Sequence, residues 1–197
     1  MEPPPTSRPD PPTKPRALID ASSAILLGKA GLIHACCEVY TLLVTRSVLK
    51  EISAPIHSDS AGLHAMAGTQ PGFIVLPDPA QGFPKGGAAD LARLHRGERD
   101  TLHHFLCGAA QFVIMDDGPG LQVCRRRAIP HVNALLCPRL LYYLGYMTDQ
   151  GRVDVCMDKL VRLGRYSAWV IDWARNCRRS DLAFFVGQPS GDHHNGR

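Results

Sequence analysis

No uninterrupted stretch of about 18 apolar residues occurs in this chain, so no membrane-spanning helix is expected. No CxxC pair and no Cys/His zinc spacing is present, which argues against a structural zinc site. The seven cysteines are odd in number, and Cys36-Cys37 is the only close pair. Adjacent cysteines bridge only with strain, so reduced core thiols are expected, as in a cytoplasmic protein. The start, Met1-Glu2-Pro3-Pro4-Pro5, lacks the basic-then-apolar order of a secretory signal. No internal repeat stands out, and no Asn-Gly hairpin turn separates the apolar runs. Aromatics are sparse at 7%, with two tryptophans. Charge of one sign is also lacking: the net formal charge is +4, which permits a nucleic-acid partner without demanding one.

What remains is a chain of 197 residues, 45% of them hydrophobic, enough for one globular domain with a core. Residues 1–15 are dominated by proline, which favours extended backbone and builds no core, so a disordered arm is expected. One domain is expected over 16–176. The stretch 177–197 reads as a C-terminal tail, partly disordered, with His193-His194 too short a cluster for a metal site.

Between these ends, apolar runs alternate with helical patterns. Strands are expected at 17–19, 40–44, 73–76 and 112–115. Helices are expected at about 23–37, 46–52, 96–106, 120–127, 134–145, 154–164 and 166–176. Ser22 or Ser23 is a candidate cap for the first helix, and Thr45 for the second. Such alternation indicates an α/β fold with a parallel sheet.

Two of the strands end in carboxylates: Ala17-Leu18-Ile19 runs into Asp20, and Phe112-Val113-Ile114-Met115 into Asp116-Asp117. Ligands of open parallel sheets bind at the carboxyl ends of the strands. Two carboxylates delivered there repel by about 4 kcal/mol at ~4 Å and an effective dielectric of ~20. A hard cation such as Mg²⁺ or Mn²⁺ offsets that repulsion. Each acid also has a plainer reading: Asp20 as a helix cap, and Asp-Asp-Gly-Pro-Gly as turn chemistry. Glu51 by itself reads as a solvated helix face, and Glu98 as an acid favoured by a helix N-terminus. Arg125-Arg126-Arg127 is the densest basic run, and one or two of its side chains could contact RNA phosphates. Tyr142, Tyr143, Trp169 and Trp173 read as packing residues.

Taken in order, these motifs resemble the PIN-domain family, the ribonuclease fold found in many toxins of bacterial toxin–antitoxin pairs. Leu18-Ile19-Asp20-Ala21-Ser22-Ser23 looks like its first strand and helix, and Val48-Leu49-Lys50-Glu51-Ile52 like its second acidic motif. Arg96-Gly97-Glu98 and Ile114-Met115-Asp116-Asp117 resemble the Gly-Glu and Asp-Asp motifs of one subgroup. The similarity covers roughly 16–175. Gly118-Pro119-Gly120 departs from the family pattern, in which an Arg-x-x-Ala often follows the second Asp soon after.

The resemblance implies a three-layer α/β/α sandwich with a central parallel sheet. It implies a metal-dependent endoribonuclease whose acidic cluster is Asp20, Glu51, Glu98 and Asp116. The metal ligands would be Asp20, Glu98 and Asp116, with Asp117 as competitor or helper, and the ion Mg²⁺ or Mn²⁺. It leaves open one ion or two, and which Asp of the pair faces the metal. Ser22, capping or orienting a phosphate, and Arg125, Arg126 and Arg127 are the RNA-binding candidates. RNA, an antitoxin protein and a second copy of the chain are the implied partners. The alternative is a PIN-like binding module without activity. An aspartyl-phosphate enzyme is a poorer fit, because Ser22 stands where a second Asp is needed.

Overall fold

The structure is a computed structural model that describes residues 14–53, 61–79, 88–116 and 118–187. The proline-rich arm up to residue 13, the segment 188–197 and Asp117 lie outside the described residues.

The sheet has five parallel strands: β1 (Arg16–Ile19), β2 (Thr41–Thr45), β3 (Phe73–Leu76), β4 (Phe112–Ile114) and β5 (His131–Val132), in the order β3-β2-β1-β4-β5. Leu18 pairs with Leu43 on one side and Val113 on the other, so β1 is central. A parallel sheet covered on both faces needs continuous apolar strands. Ala17, Leu18 and Ile19 are accordingly fully buried, as are Leu42, Leu43 and Val44.

Alternate residues feed two cores. Ala17, Ile19, Leu42, Val44, Phe112 and Ile114 face one layer of helices: α1 (Ala21–Ala30), α2 (Ile33–Val39), α3 (Arg46–Ile52), α4 (Ala61–Met66), α8 (Cys137–Tyr143) and α9 (Gln150–Leu163). Leu18, Leu43, Val113 and Met115 face the other, against Leu91 of α5 (Ala88–Leu91), Leu102 of α6 (Arg96–Leu106) and Val123 of α7 (Pro119–Arg126). The architecture is α/β, a five-stranded parallel sheet between two helical layers, as the alternation predicts.

Several boundaries differ from expectation. The first long helix is broken in two, because Gly31 takes a left-handed φ of 76° and receives the end of α1. The strand β5 has only two residues, too short to leave a period in the sequence. The expected helix at 134–145 opens as a 3₁₀ turn, Ala134–Leu136, before α8. Past 176, where the tail was expected to begin, the chain stays packed. After α10 (Ala168–Asn176), a 3₁₀ turn (Arg179–Leu182) and α11 (Ala183–Val186) bury Leu182 and Val186. The Tyr40 hydroxyl donates to the Phe185 carbonyl and ties this end to the core. Five of the seven cysteines are buried, whereas Cys107 is exposed; all are free thiols. Among the described residues no single helix is long and apolar enough to cross a membrane.

Candidate active site

With β1 central, the chain winds outward through β2 and β3 on one side and reaches β4 and β5 on the other. The crevice between β1 and β4 is therefore the topological switch point, where such sheets take their ligands. Asp20 follows β1 directly, and its N–H donates to the Ile114 carbonyl of β4 at 3.1 Å. Asp116 stands two residues beyond β4.

Asp20 is the N-cap of α1, which is the plainer of its two expected readings, and neither Ser22 nor Ser23 takes that place. Its Oδ1 accepts from the Ser23 N–H at 2.8 Å and its Oδ2 from the Ser22 hydroxyl at 2.7 Å. The residue is 4% exposed. Burial pushes its pKa up to about 7; the hydrogen bonds from Ser23 and Ser22 pull it partly back, and the Asp116 charge raises it further. Burial therefore favours the protonated form of this acid well above the pH at which a free carboxyl ionises.

Glu51 lies in the last turn of α3 and is exposed; Glu98 lies in the first turn of α6 and is half-buried. Glu98 uses both oxygens. Its Oε2 accepts from the His95 N–H at 3.3 Å, closing the turn into α6, and its Oε1 accepts from the Gly120 N–H at 3.0 Å. Together these bonds join the starts of α6 and α7. The two glycines around this acid make room for it. A Cβ on Gly97 would stand 2.8 Å from Glu51 Oε2, so a larger residue there would push the Glu51 carboxylate aside. A Cβ on Gly118 would stand 2.7 Å from Glu98 Oε1, and its φ of 91° with ψ of −175° is backbone that essentially only glycine adopts. The unusual Gly118-Pro119-Gly120 is therefore the geometry that admits Glu98.

These acids meet on one side of the sheet. Asp20, Ser22, Glu51, His95, Glu98 and Gly118 line a cleft of about 320 Å³. Asp116 is on an adjoining pocket of about 520 Å³, which shares Ser22 and Glu51 with the cleft. Asp116 is held from two sides: its Oδ2 accepts from the Ala134 N–H at 3.0 Å, and its Oδ1 accepts from the Tyr166 hydroxyl. Burial, and then the adjacent Asp116 charge, raise the Tyr166 phenol above its ordinary pKa, so it stays a donor. His95 and Tyr166 have no sequence signal of their own; Tyr166 reaches the site from 50 residues beyond Asp116.

The donor set is hard oxygen, suited to Mg²⁺ or Mn²⁺. Yet among the described residues no three His, Cys, Asp or Glu side chains are placed to hold an ion as they stand. Most of the carboxylate oxygens are engaged in hydrogen bonds within the protein, and exposed Glu51 is the one with freedom to swing.

The three arginines diverge. Arg127 pairs with Asp90 at 3.2 Å, Arg126 lines a groove with Arg93 and Pro119, and Arg125 borders an apolar pocket beside Trp169 and Trp173. None of them lines the acidic cleft, although Pro119 borders both the cleft and the groove of Arg126. Trp169, expected as a packing residue, is 71% exposed.

Comparison with family profiles, curated proteins and solved structures finds no match.

Proposed function

We propose that this protein is a metal-dependent endoribonuclease that cleaves RNA phosphodiesters over the cleft outside β1 and β4. One observation carries the reading. Asp20, Glu51 and Glu98 line one cleft at the switch point of a parallel sheet, and Asp116 lines the adjoining pocket that shares Ser22 and Glu51 with it. Among the described residues neither Asp20, Glu51 nor Glu98 forms an ion pair with lysine or arginine. Such a set has unbalanced negative charge, which favours a cation.

Asp20, Glu98 and Asp116 would hold the ion, with Glu51 turning in from the rim. When bound, a hard divalent cation would supply positive charge to a phosphodiester and lower the pKa of a water beside it. Burial raises the Asp20 pKa to about 7, so an ion taken up by this carboxylate would displace a proton from it near neutral pH. Tyr166 and the Ala134 N–H fix the Asp116 carboxylate, and Ser22 fixes that of Asp20. A toxin role, with an antitoxin partner and a homodimer as the working unit, extends this reading by the PIN resemblance alone.

A second reading, a PIN-like binding module without catalysis, is favoured by the hydrogen bonds that already occupy these carboxylates and by the absence of a ready three-ligand set among the described residues. One experiment separates the two. Purified protein is incubated with single-stranded RNA and Mn²⁺ or Mg²⁺. Cleavage that is lost in EDTA and in Asp20→Asn supports the nuclease; binding without cleavage supports the module. Cleavage that persists both in EDTA and in Asp20→Asn overturns the metal-nuclease reading.

A further inference from the structure

The acidic cleft does not stand alone. On its α3–α6 side lies a groove of about 460 Å³ lined by Arg46, Ser47, Lys50, Asp78 and Arg96, with Glu51 and His95 on the shared wall. On the other side lies the pocket of about 520 Å³ that holds Asp116, with Ile25, Leu26, Leu163 and Tyr166 giving it an apolar wall and Arg165 at its edge. Glu51 borders all three spaces. A basic groove, an acidic cleft and an apolar pocket thus form one trough.

Arg46 and Lys50 are exposed and lie one turn apart on α3, hence on the same face. Neither forms an ion pair among the described residues. Arg46 opens the helix, where a positive charge is unfavourable to the helix dipole, so fold stability does not account for it. Arg96 adds a third cation, 67% exposed at its side chain and only loosely paired with Asp100 at 3.6 Å. The three outnumber the acids Asp78 and Glu51 on the groove wall.

We infer that Arg46, Lys50 and Arg96 position the RNA by holding its backbone phosphates beside the cleft, and that the apolar pocket receives an unpaired base. The inference rests on the nuclease reading of the cleft for the position of the scissile bond. Phosphate contacts from lysine and arginine set register, and a base with an open face needs an apolar or aromatic wall. A paired base presents no such face, so a duplex forfeits the pocket.

The test is binding of a labelled single-stranded RNA 12-mer in EDTA, which silences metal-dependent cleavage, across a salt series. Arg46→Ala/Lys50→Ala should weaken binding about tenfold or more. It should also flatten the plot of log affinity against log salt by about 1.4, since each single-strand phosphate contact contributes about 0.7. A duplex of the same sequence should bind about tenfold more weakly than the single strand. Unchanged affinity and slope in the double variant, with an unchanged circular dichroism spectrum, overturns the groove; equal binding of duplex and single strand overturns the base pocket. Failure of the nuclease reading gives a different signature: no cleavage with Mn²⁺, while salt-dependent binding through Arg46 and Lys50 persists.

Discussion

Asp20 carries two duties that pull its protonation in opposite directions. As the cap of α1 it accepts hydrogen bonds, which favour the carboxylate; as a buried side chain it is pushed toward the neutral acid, and burial prevails. A folded pKa of about 7 lies above the unfolded value of about 4, so the folded state holds this proton more tightly. The stabilisation from that proton is complete below about pH 4 and is lost as pH rises through about 7. Over that window the loss is on the order of a few kcal/mol. An asparagine in place of Asp20 would keep the cap, since Asn and Asp serve nearly equally there, but it has no proton to lose. Asp20→Asn should therefore leave stability near the wild type at pH 4 and exceed it at pH 8, as urea denaturation at both values would record. A wild-type-to-variant difference that does not grow between those pH values would contradict the burial argument.

At the scale of elements, the site depends on how closely α6 can lie against α3. Gly97 is the contact point, and the atom nearest a new Cβ is the far end of exposed Glu51, with Val48 Cγ2 next at 3.3 Å. Gly97→Ala should thus displace a mobile carboxylate more than it disturbs the core. Alanine also gains up to ~1 kcal/mol of helix propensity over glycine, which offsets crowding at Val48. The expected result is a stability change below about 1 kcal/mol together with a tenfold or greater loss of RNA cleavage. Thermal denaturation and a cleavage assay on the same preparation would measure both. Full activity would mean that Glu51 is a bystander on the rim. Had the same substitution been made at Gly118, the positive φ would add about 1–3 kcal/mol of backbone cost, and the two effects could not be separated.

For the whole molecule, the acids at the switch point are a local excess of negative charge within a well-packed fold. Asp20, Glu51, Glu98 and Asp116 come from distant parts of the chain, so an ion binding to them binds only the folded state. At a hundredfold excess over its Kd, such a ligand stabilises by about 2.7 kcal/mol. For a domain of this size that is a rise of about 5–10 °C in Tm. Mn²⁺ should produce it in the wild type near pH 7.5 and not in Asp20→Asn, with EDTA reversing the shift; calorimetry would read it directly. No shift in the wild type would favour the binding module. The same scale contains the trough, since its basic groove, acidic cleft and apolar pocket are drawn from α3, α6, α1 and the segment after α9.

Amino-acid order alone dictates the central strands, the parallel sheet and the two strand-end acids. A strand buried on both faces must be continuously apolar, and Ala17-Leu18-Ile19 and Phe112-Val113-Ile114 meet that condition. Local signals also marked Thr45 as the cap of α3, and Gly31 could have marked the end of α1. What stands beside what was settled by chain folding in three dimensions. Strand order brings Asp20 and Asp116 to neighbouring strand ends, and the close packing of α3 on α6 brings Glu51 and Glu98 to Asp20. Tyr166 reaches Asp116, and Arg46 comes to border the groove beside the cleft, through contacts between distant segments that leave no period or spacing to read. Periodicity records which face of an element is buried; it carries no record of which distant element buries it.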